Sequence, residues 1–221
     1  MEQALREHAE EYCPQPGMVY ISNATEIGTL YTKSELTALH DCCTAHGLYL
    51  YLDGARLGTA LMSDASDLKA SDLARLTDAF YIGGTKNGAM FGEAVILVND
   101  ALKKHFRTTL KQRGGMLAKG RLLGVQFAEL FRDGLWFDLA RHANKQAKLL
   151  QDGLIQKGVP LMVNSPTNQL FPIFPNEKVA ALSKSFAFEV WGPQDPAHQI
   201  IRLVTSWATQ PETVEAFLSA I

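Results

Sequence analysis

Short apolar runs alternate with amphipathic segments along the first hundred residues of the chain. Residues 32–47 place apolar side chains at helical spacing and end in a glycine, and Ser71 is predicted to cap a helix over residues 71–76. Four other runs are nearly continuous in Val, Ile, Leu, Tyr and Phe, which is typical of strands buried on both faces. These runs cover residues 18–22, 48–53, 79–84 and 92–100. The alternation predicts an α/β fold with a parallel or mostly parallel sheet and helices on both faces.

The pattern changes after about residue 100. Residues 100–157 predict two or three long helices, with breaks near residues 112–115 and 132–134. The last third combines short strand candidates with a helix over 176–184 and a closing helix from Pro211, which together predict a small α+β unit. The strand candidates are residues 160–163, 168–174, 185–191 and 199–207.

Composition narrows the class of protein. With 221 residues, 47% of them hydrophobic, the chain can bury one large domain or one and a half. A net charge of -2 gives no electrostatic reason to expect nucleic acid or an anionic membrane as partner, and no apolar run approaches the roughly 20 residues of a membrane span. The cysteines Cys13, Cys42 and Cys43 predict neither a disulfide framework nor a zinc site, and the histidines form no metal-binding pattern, so we expect reduced thiols in the cytoplasm and no metal.

Two charged residues stand at the carboxyl ends of predicted strands. Asp53 ends the run before "GARL", and Lys86 follows the next strand between glycines. Taken alone, Asp53 is either a turn cap or a partner of Arg56, and Lys86 is an exposed lysine of a turn. However, a carboxylate removed from water needs a cation, and open α/β sheets bind ligands at these strand ends. The pair suits pyridoxal phosphate, which requires a lysine for its aldehyde and a carboxylate for its ring nitrogen.

Other polar residues allow two interpretations each. Arg202, inside an apolar strand, is either a structural ion pair with an acid of the sheet domain or a bidentate clamp for a substrate carboxylate, and we favour the clamp. Arg113 and Lys119 flank a glycine pair and either bind phosphate or form an exposed basic turn. Three residues after the first strand either line the same cleft or only satisfy a turn. They are Asn23, Thr25 and Glu26.

These motifs in combination resemble those of a known family. "VYISNATEIGTLYTKSEL", "YLDGARL", "YIGGTKNGAMFGEAVI" and "IRLVTSWAT" resemble the threonine aldolase / aromatic amino acid β-eliminating lyase family, whose members are pyridoxal phosphate enzymes of fold type I. The resemblance runs from about Met18 to the C-terminus. It implies the aspartate aminotransferase fold, with part of the large sheet domain and its helical bridge over residues 1–131 and a small α+β domain over residues 132–221.

The resemblance also implies roles for individual residues. Lys86 corresponds to the lysine that forms the Schiff base with pyridoxal phosphate, and Asp53 to the partner of the pyridine nitrogen. Arg56 matches the arginine near the 3-oxygen of the cofactor, and Thr85 keeps the hydroxyl of the serine that precedes the lysine in better-known members. Arg202 matches the arginine that binds the α-carboxylate of the substrate.

The implied activity is the cleavage of a β-hydroxy-α-amino acid such as L-threonine to glycine and an aldehyde by a homodimer or homotetramer. Two alternatives stay open: a β-eliminating lyase like tryptophanase or cysteine desulfhydrase, and an inactive truncated remnant. Family members are longer at the N-terminus, where they hold the phosphate loop and a ring-stacking histidine, so we expect this chain to lack that part. Leu117 stands where members carry an arginine, so Arg113 or Lys119 would have to replace it.

Overall fold

The first half of the chain forms a four-stranded sheet in the computed structural model, which describes residues 2–8 and 10–221. The strands, in spatial and chain order, are β1 (Met18–Ser22), β2 (Tyr49–Asp53), β3 (Ala79–Gly83) and β4 (Glu93–Leu97). β1, β2 and β3 are parallel, whereas β4 runs antiparallel to β3. The prediction of a mostly parallel sheet is therefore confirmed, with the antiparallel strand at one edge.

Four helices accompany this sheet. They are α1 (Glu2–Glu7), α2 (Lys33–Ala45), α3 (Leu57–Leu61) and α4 (Ala70–Leu76). α2 begins at a capping box in which Thr32 and Glu35 bond each other's backbone amides. The predicted cap at Ser71 is wrong: α4 begins at Ala70, because the Asp72 carboxylate accepts the backbone amide of Lys69 at 2.9 Å and closes the first turn there.

The two faces of the sheet differ sharply. One face packs its leucines, including Leu50 and Leu52, into a buried core with α2 and α3. Because side chains alternate along a strand, Tyr20, Tyr51 and Tyr81 share the other face, where the centres of successive rings lie 5.5 and 6.4 Å apart. Tyr20 stays more than half exposed there. The tyrosine face leads directly to the carboxyl ends of the strands.

The second half begins with three helices and ends in an antiparallel sheet with two more helices. The helices of this half are α5 (Phe106–Gln112), α6 (Arg121–Phe131), α7 (Leu135–Gln156), α8 (Asn176–Leu182) and α9 (Pro211–Ser219). The strands are β5 (Gln169–Leu170), β6 (Ile173–Pro175), β7 (Glu189–Asp195) and β8 (His198–Val204), and β8 pairs with each of the others. The strand predicted over residues 160–163 is wrong, since Leu161 forms only an isolated bridge to Pro172.

Helix α7 contributes to two cores. Near its start Trp136 packs in the core of the first sheet, and near its end Leu150 and Leu154 join β8 and α9 in a second core. The predicted domain boundary between residues 131 and 132 stays a prediction. In the described part of the chain, none of the helices has the length and apolar character needed to cross a membrane.

Candidate active site

Asp53 is the last residue of β2 and accepts three hydrogen bonds. Its Oδ1 accepts the Tyr81 hydroxyl and the backbone amide of Ala55, the latter at 2.9 Å, and its Oδ2 accepts the Tyr20 hydroxyl. Parallel pairing brings these groups together. Ser22 lies opposite Asp53, and Tyr20, two residues before Ser22, points to the same face of the sheet as Asp53. The carboxylate is therefore oriented by two neighbouring strands and its own turn.

These donors keep Asp53 in its charged form. Burial raises the pKa of Asp53, but the hydroxyls of Tyr20 and Tyr81, the Ala55 amide and the charge of Lys86 outweigh it and hold the pKa below its usual value. The same bonds raise the pKa of Tyr20 to about 12, through the hydrogen bond to Asp53 first and burial second. Burial and then the bond to Asp53 raise the pKa of Tyr81 as well. All of these shifts favour a carboxylate surrounded by neutral phenols.

Lys86 lies in the turn after β3. No residue of the described ranges forms a hydrogen bond or ion pair with its Nζ. Lys86 is exposed overall, but partial burial of its side chain first, and the positive charge of Arg56 second, lower the pKa of Lys86, while Glu26, Asp53 and Glu93 oppose the change. The site thus contains an amine without a fixed partner, a larger share of which is neutral than in an ordinary lysine.

The turn that carries Lys86 is fixed to α7. The indole Nε1 of Trp136 donates to the Gly83 carbonyl at 2.9 Å, and Asn87 Nδ2 donates to the Trp136 carbonyl at 2.8 Å. Both Trp136 and Asn87 are buried. Gly83 must lack a side chain, because a Cβ would lie 2.4 Å from the Ala55 carbonyl oxygen. These contacts hold the ends of β2 and β3 close together.

Arg56, which precedes α3, and Arg202, on β8, lie close enough for their charges to interact. Burial first, and the charge of Arg202 second, lower the pKa of the partly buried Arg56. Arg202 forms an ion pair with Glu189, its register partner on β7, and its Cζ lies 5.4 Å from the centre of the Trp191 ring. The expected alternative partner for Arg202, an acid of the first sheet, is therefore not the one observed.

A loop clamped between the two sheets presents Glu26. Gly28 offers its carbonyl oxygen to the hydroxyls of Ser165 and Thr167 at 3.1 and 2.9 Å, and Gln169 Nε2 donates to the Thr25 carbonyl at 3.2 Å. Gly28 has a positive φ of 79°, and a Cβ there would lie 2.3 Å from the Ser165 Oγ. Glu26 is exposed at the tip, where its charge acts on Arg56 and Lys86.

The remaining predicted residues are placed less directly. Thr85 is exposed, and its hydroxyl lies 3.5 Å from the Gly92 carbonyl, so its cofactor role stays a prediction. Asn23 is buried and its Oδ1 accepts the Tyr31 amide at 3.4 Å, which makes it structural. Arg113 and Lys119 lie exposed in the connection between α5 and α6. Within the described ranges, neither of the two forms a hydrogen bond or ion pair with the residues above.

The donor set fits pyridoxal phosphate. The cofactor needs an ionised carboxylate for its protonated ring nitrogen and a free amine for its aldehyde, and Asp53 and Lys86 have these properties. Arg56 adds a cation whose charge interacts with both of them. Tyr20, Tyr81, Trp136 and Glu189 complete the arrangement and were not found from the sequence.

Comparisons with known proteins identify the family of this chain. Residues 1–185 match the family model described as beta-eliminating lyase. Two curated relatives named low specificity L-threonine aldolase, from Pseudomonas aeruginosa and Pseudomonas sp. strain NCIMB 10558, are 32% and 34% identical over 203 and 227 residues. The alignments cover 91% and 100% of this chain but 58% and 63% of the relatives, so the chain spans less than two thirds of their length.

Solved structures of a threonine aldolase and of an aminotransferase resemble this chain. A structure described as an initial structural analysis of Leishmania major threonine aldolase is 50% identical, with a TM-score of 0.96 over 99% of this chain and 64% of that one. A Thermus thermophilus aspartate aminotransferase mutant, at 18% identity, has a TM-score of 0.68 over 92% of this chain and 56% of that one. At that identity the second likeness shows the fold alone, which is the fold of the aminotransferases.

Proposed function

The chain belongs to the beta-eliminating lyase family, and from this premise we propose that it carries a pyridoxal phosphate site for the aldol cleavage of a β-hydroxy-α-amino acid. The products would be glycine and an aldehyde, with L-threonine as a representative substrate. The observation that carries the proposal is that an ionised Asp53, a Lys86 without a hydrogen bond or ion pair to any described residue, and two arginines come together at the carboxyl ends of the strands. The names of the curated relatives support the choice of aldol cleavage within the family.

Each residue has a role that follows from its surroundings. Asp53 would accept the proton-bearing ring nitrogen of the cofactor, since its charge is maintained by the Tyr20 and Tyr81 hydroxyls. Lys86 would bond the cofactor aldehyde, because its lowered pKa leaves more of the nucleophilic free amine at neutral pH. When bound, pyridoxal phosphate supplies an electron sink for charge that develops at the substrate Cα.

The arginines act on negative groups. Arg56 interacts by its charge with both Asp53 and Lys86 and would face the phenolic oxygen of the cofactor. Arg202 would bind the substrate carboxylate. This contact limits rotation about the N–Cα bond of the substrate and so helps to orient the Cα–Cβ bond that breaks. The Trp191 ring limits where the Arg202 guanidinium lies.

The test combines cofactor binding with product analysis. Purified chain is mixed with pyridoxal phosphate, its visible absorption is recorded, and borohydride reduction is followed by peptide mapping. We expect the label on Lys86, none in a Lys86→Ala variant, and an unchanged result in Lys184→Ala, which alters an exposed lysine of the second half. Labelling spread over several lysines, or none at all, would contradict the assignment.

Products then separate the reactions. Glycine and acetaldehyde from L-threonine support aldol cleavage. Pyruvate and ammonia would instead indicate a β-eliminating lyase. Because the relatives are longer, the assay is run on this chain and on the chain extended to their length; labelling without turnover in both would refute the proposed activity.

We also propose that the chain acts as a homodimer or homotetramer in a reducing compartment such as the cytoplasm. Exposed apolar side chains beside the Lys86 turn support self-association, among them Met90 and Val125, and the Met90 amide bonds Gln126 on α6 at 2.8 Å. Cys13, Cys42 and Cys43 all lie in the described residues, and none of them forms a disulfide there. Sedimentation analysis tests the assembly, and a Val125→Glu variant that sediments like the unchanged chain would exclude this surface.

A further inference from the structure

Glu189 and Arg202 are direct neighbours across the β7–β8 pair. They are register partners, and Oε2 of Glu189 forms an ion pair with Nη2 of Arg202. Trp191 contacts the guanidinium from a second side, and Phe171 meets the Trp191 ring edge-on, with ring centres 5.2 Å apart. The side chain of Arg202 is only 22% exposed. The guanidinium that would receive the substrate is therefore already held by a carboxylate of its own sheet.

The nitrogen atoms of Arg202 are not equally available. A carboxylate can bind a guanidinium with two parallel hydrogen bonds either through Nη1 and Nη2 or through Nε and Nη2. Nε of Arg202 is buried and has no partner in the described part of the chain, so an incoming molecule does not reach it. Only the arrangement through Nη1 and Nη2 is open, and Nη2 is the atom that Glu189 occupies.

We propose that Glu189 sets the affinity of the site for the substrate by competing with the substrate carboxylate for Arg202. The inference rests on the proposed function, in which Arg202 is the carboxylate anchor. Each bidentate carboxylate must displace Glu189 from Nη2 or share that nitrogen with it, so Glu189 weakens carboxylate binding. An anion that uses Nη1 alone is affected less. Glu189 thereby sets the affinity of the site and keeps the arginine charge balanced before the substrate arrives.

The size of the effect follows from exposure. The side chain of Glu189 is 52% exposed, so water screens the pair and the competition is modest. Exposed ion pairs shift an equilibrium by about 1.4- to 5-fold. Removing the charge of Glu189 should therefore strengthen carboxylate binding by about 2- to 5-fold. This is the upper part of the range, because Arg202 is mostly buried and water screens it less.

The first measurement needs no turnover. In the full chain without cofactor, the rate at which phenylglyoxal modifies Arg202 is followed by peptide mass spectrometry at increasing acetate. We expect Glu189→Gln to raise the rate and to lower the acetate concentration that halves it by about 2- to 5-fold. Glu189→Asp, with a shorter side chain, should lie between the two. Glu215→Gln removes an exposed carboxylate of α9 and should change neither quantity.

The second measurement uses the enzyme with pyridoxal phosphate. Glu189→Gln should lower KM for the amino acid by the same factor and leave kcat unchanged, because Glu189 opposes substrate binding and takes no part in the bond cleavage that follows. A raised KM or a reduced kcat would show that Glu189 orients Arg202 and would overturn the proposal. Acetate protection equal to that of the unchanged chain would also overturn it. If no variant cleaves amino acids but acetate protection still changes, the competition stands and the proposed function fails.

Discussion

Replacing Tyr81 with Phe tests whether tyrosine hydroxyls keep Asp53 charged. The Tyr81 hydroxyl donates to Oδ1 of Asp53, and its ring packs 6.4 Å from Tyr51, so Phe keeps the ring and removes only the donor. A hydrogen bond to a charged group contributes about 1.5–3 kcal/mol. Because Asp53 is only partly buried, we expect the lower end, a loss of about 1.5 kcal/mol in the free energy of unfolding at pH 7. For a chain of this size, Tm should fall by about 3–6 °C.

The loss should depend on pH. Burial raises the pKa of Asp53, but the hydroxyls of Tyr20 and Tyr81, the Ala55 amide and Lys86 outweigh it, so the folded-state pKa is lowered. A lowered acid pKa contributes stability above the unfolded-state pKa of about 3.9, and that stability is lost as the pH falls through the folded-state pKa. The effect of Tyr81→Phe is therefore full at neutral pH and shrinks in acid. Since one pKa unit corresponds to about 1.36 kcal/mol and about half of the loss depends on the charge of Asp53, the Asp53 pKa should rise by about half a unit.

Urea unfolding at several pH values measures the loss, and carbon NMR of the Asp53 carboxyl measures its pKa. Tyr51→Phe is the matched control, because it removes a phenol of the same face that does not bond Asp53. Tyr20→Phe should lose less than Tyr81→Phe, since Tyr20 is more than half exposed. In an Asp53→Asn background the effect of Tyr81→Phe should fall by about half, because the remaining bond is neutral. An effect equal at all pH values and in both backgrounds would refute the reasoning.

Three further outcomes are expected around Lys86. Trp136→Phe leaves the Gly83 carbonyl without its donor and should lower the free energy of unfolding by about 1–3 kcal/mol in urea; an unchanged value would mean another donor takes its place. Gly83→Ala places a methyl group 2.4 Å from a backbone oxygen, so it should reduce stability more than Trp136→Phe, and a milder effect would contradict the close packing. Arg56→Met should raise the pKa of Lys86, and Glu26→Gln should lower it. The pH dependence of the reaction of Lys86 with trinitrobenzenesulfonate measures both shifts. Shifts of the same sign would exclude the electrostatic explanation.

The sequence predicted the parts of the site that depend on local pattern. Asp53 and Lys86 follow apolar strands directly, so their place at the carboxyl edge is a consequence of strand periodicity and parallel pairing. Their roles toward a cofactor were inferred from their pairing at the strand ends and then from the family resemblance, and they stay proposals. The mostly parallel sheet was predictable for the same local reason, whereas the antiparallel direction of β4 depends on the length of the turn that holds Lys86.

The residues that were missed depend on register or on distant contacts. Tyr20 and Tyr81 read as ordinary strand residues, and only the alignment of three strands brings their hydroxyls to Asp53. Trp136 lies 53 residues from Gly83 in sequence, and no local pattern predicts their bond. Glu189 could have been predicted from the sequence. The polar turn between β7 and β8 predicts a hairpin, and the register of that hairpin would have placed Glu189 near Arg202.

The arrangement of charges explains why the site should favour small zwitterionic or anionic substrates. Burial first and the charge of Arg202 second lower the pKa of Arg56, and burial first and the charge of Arg56 second lower that of Lys86, so Arg56 repels both other cations and gains from an anion placed beside it. Glu26 and Glu189, two of the acids that act on these cations, are exposed, so water reduces their compensation. Asp53 stays charged, and its charge also acts on Arg56 and Lys86. The cleft therefore offers a carboxylate or a phosphate two guanidinium groups whose mutual repulsion an anion relieves, and the acids moderate how tightly each anion is held.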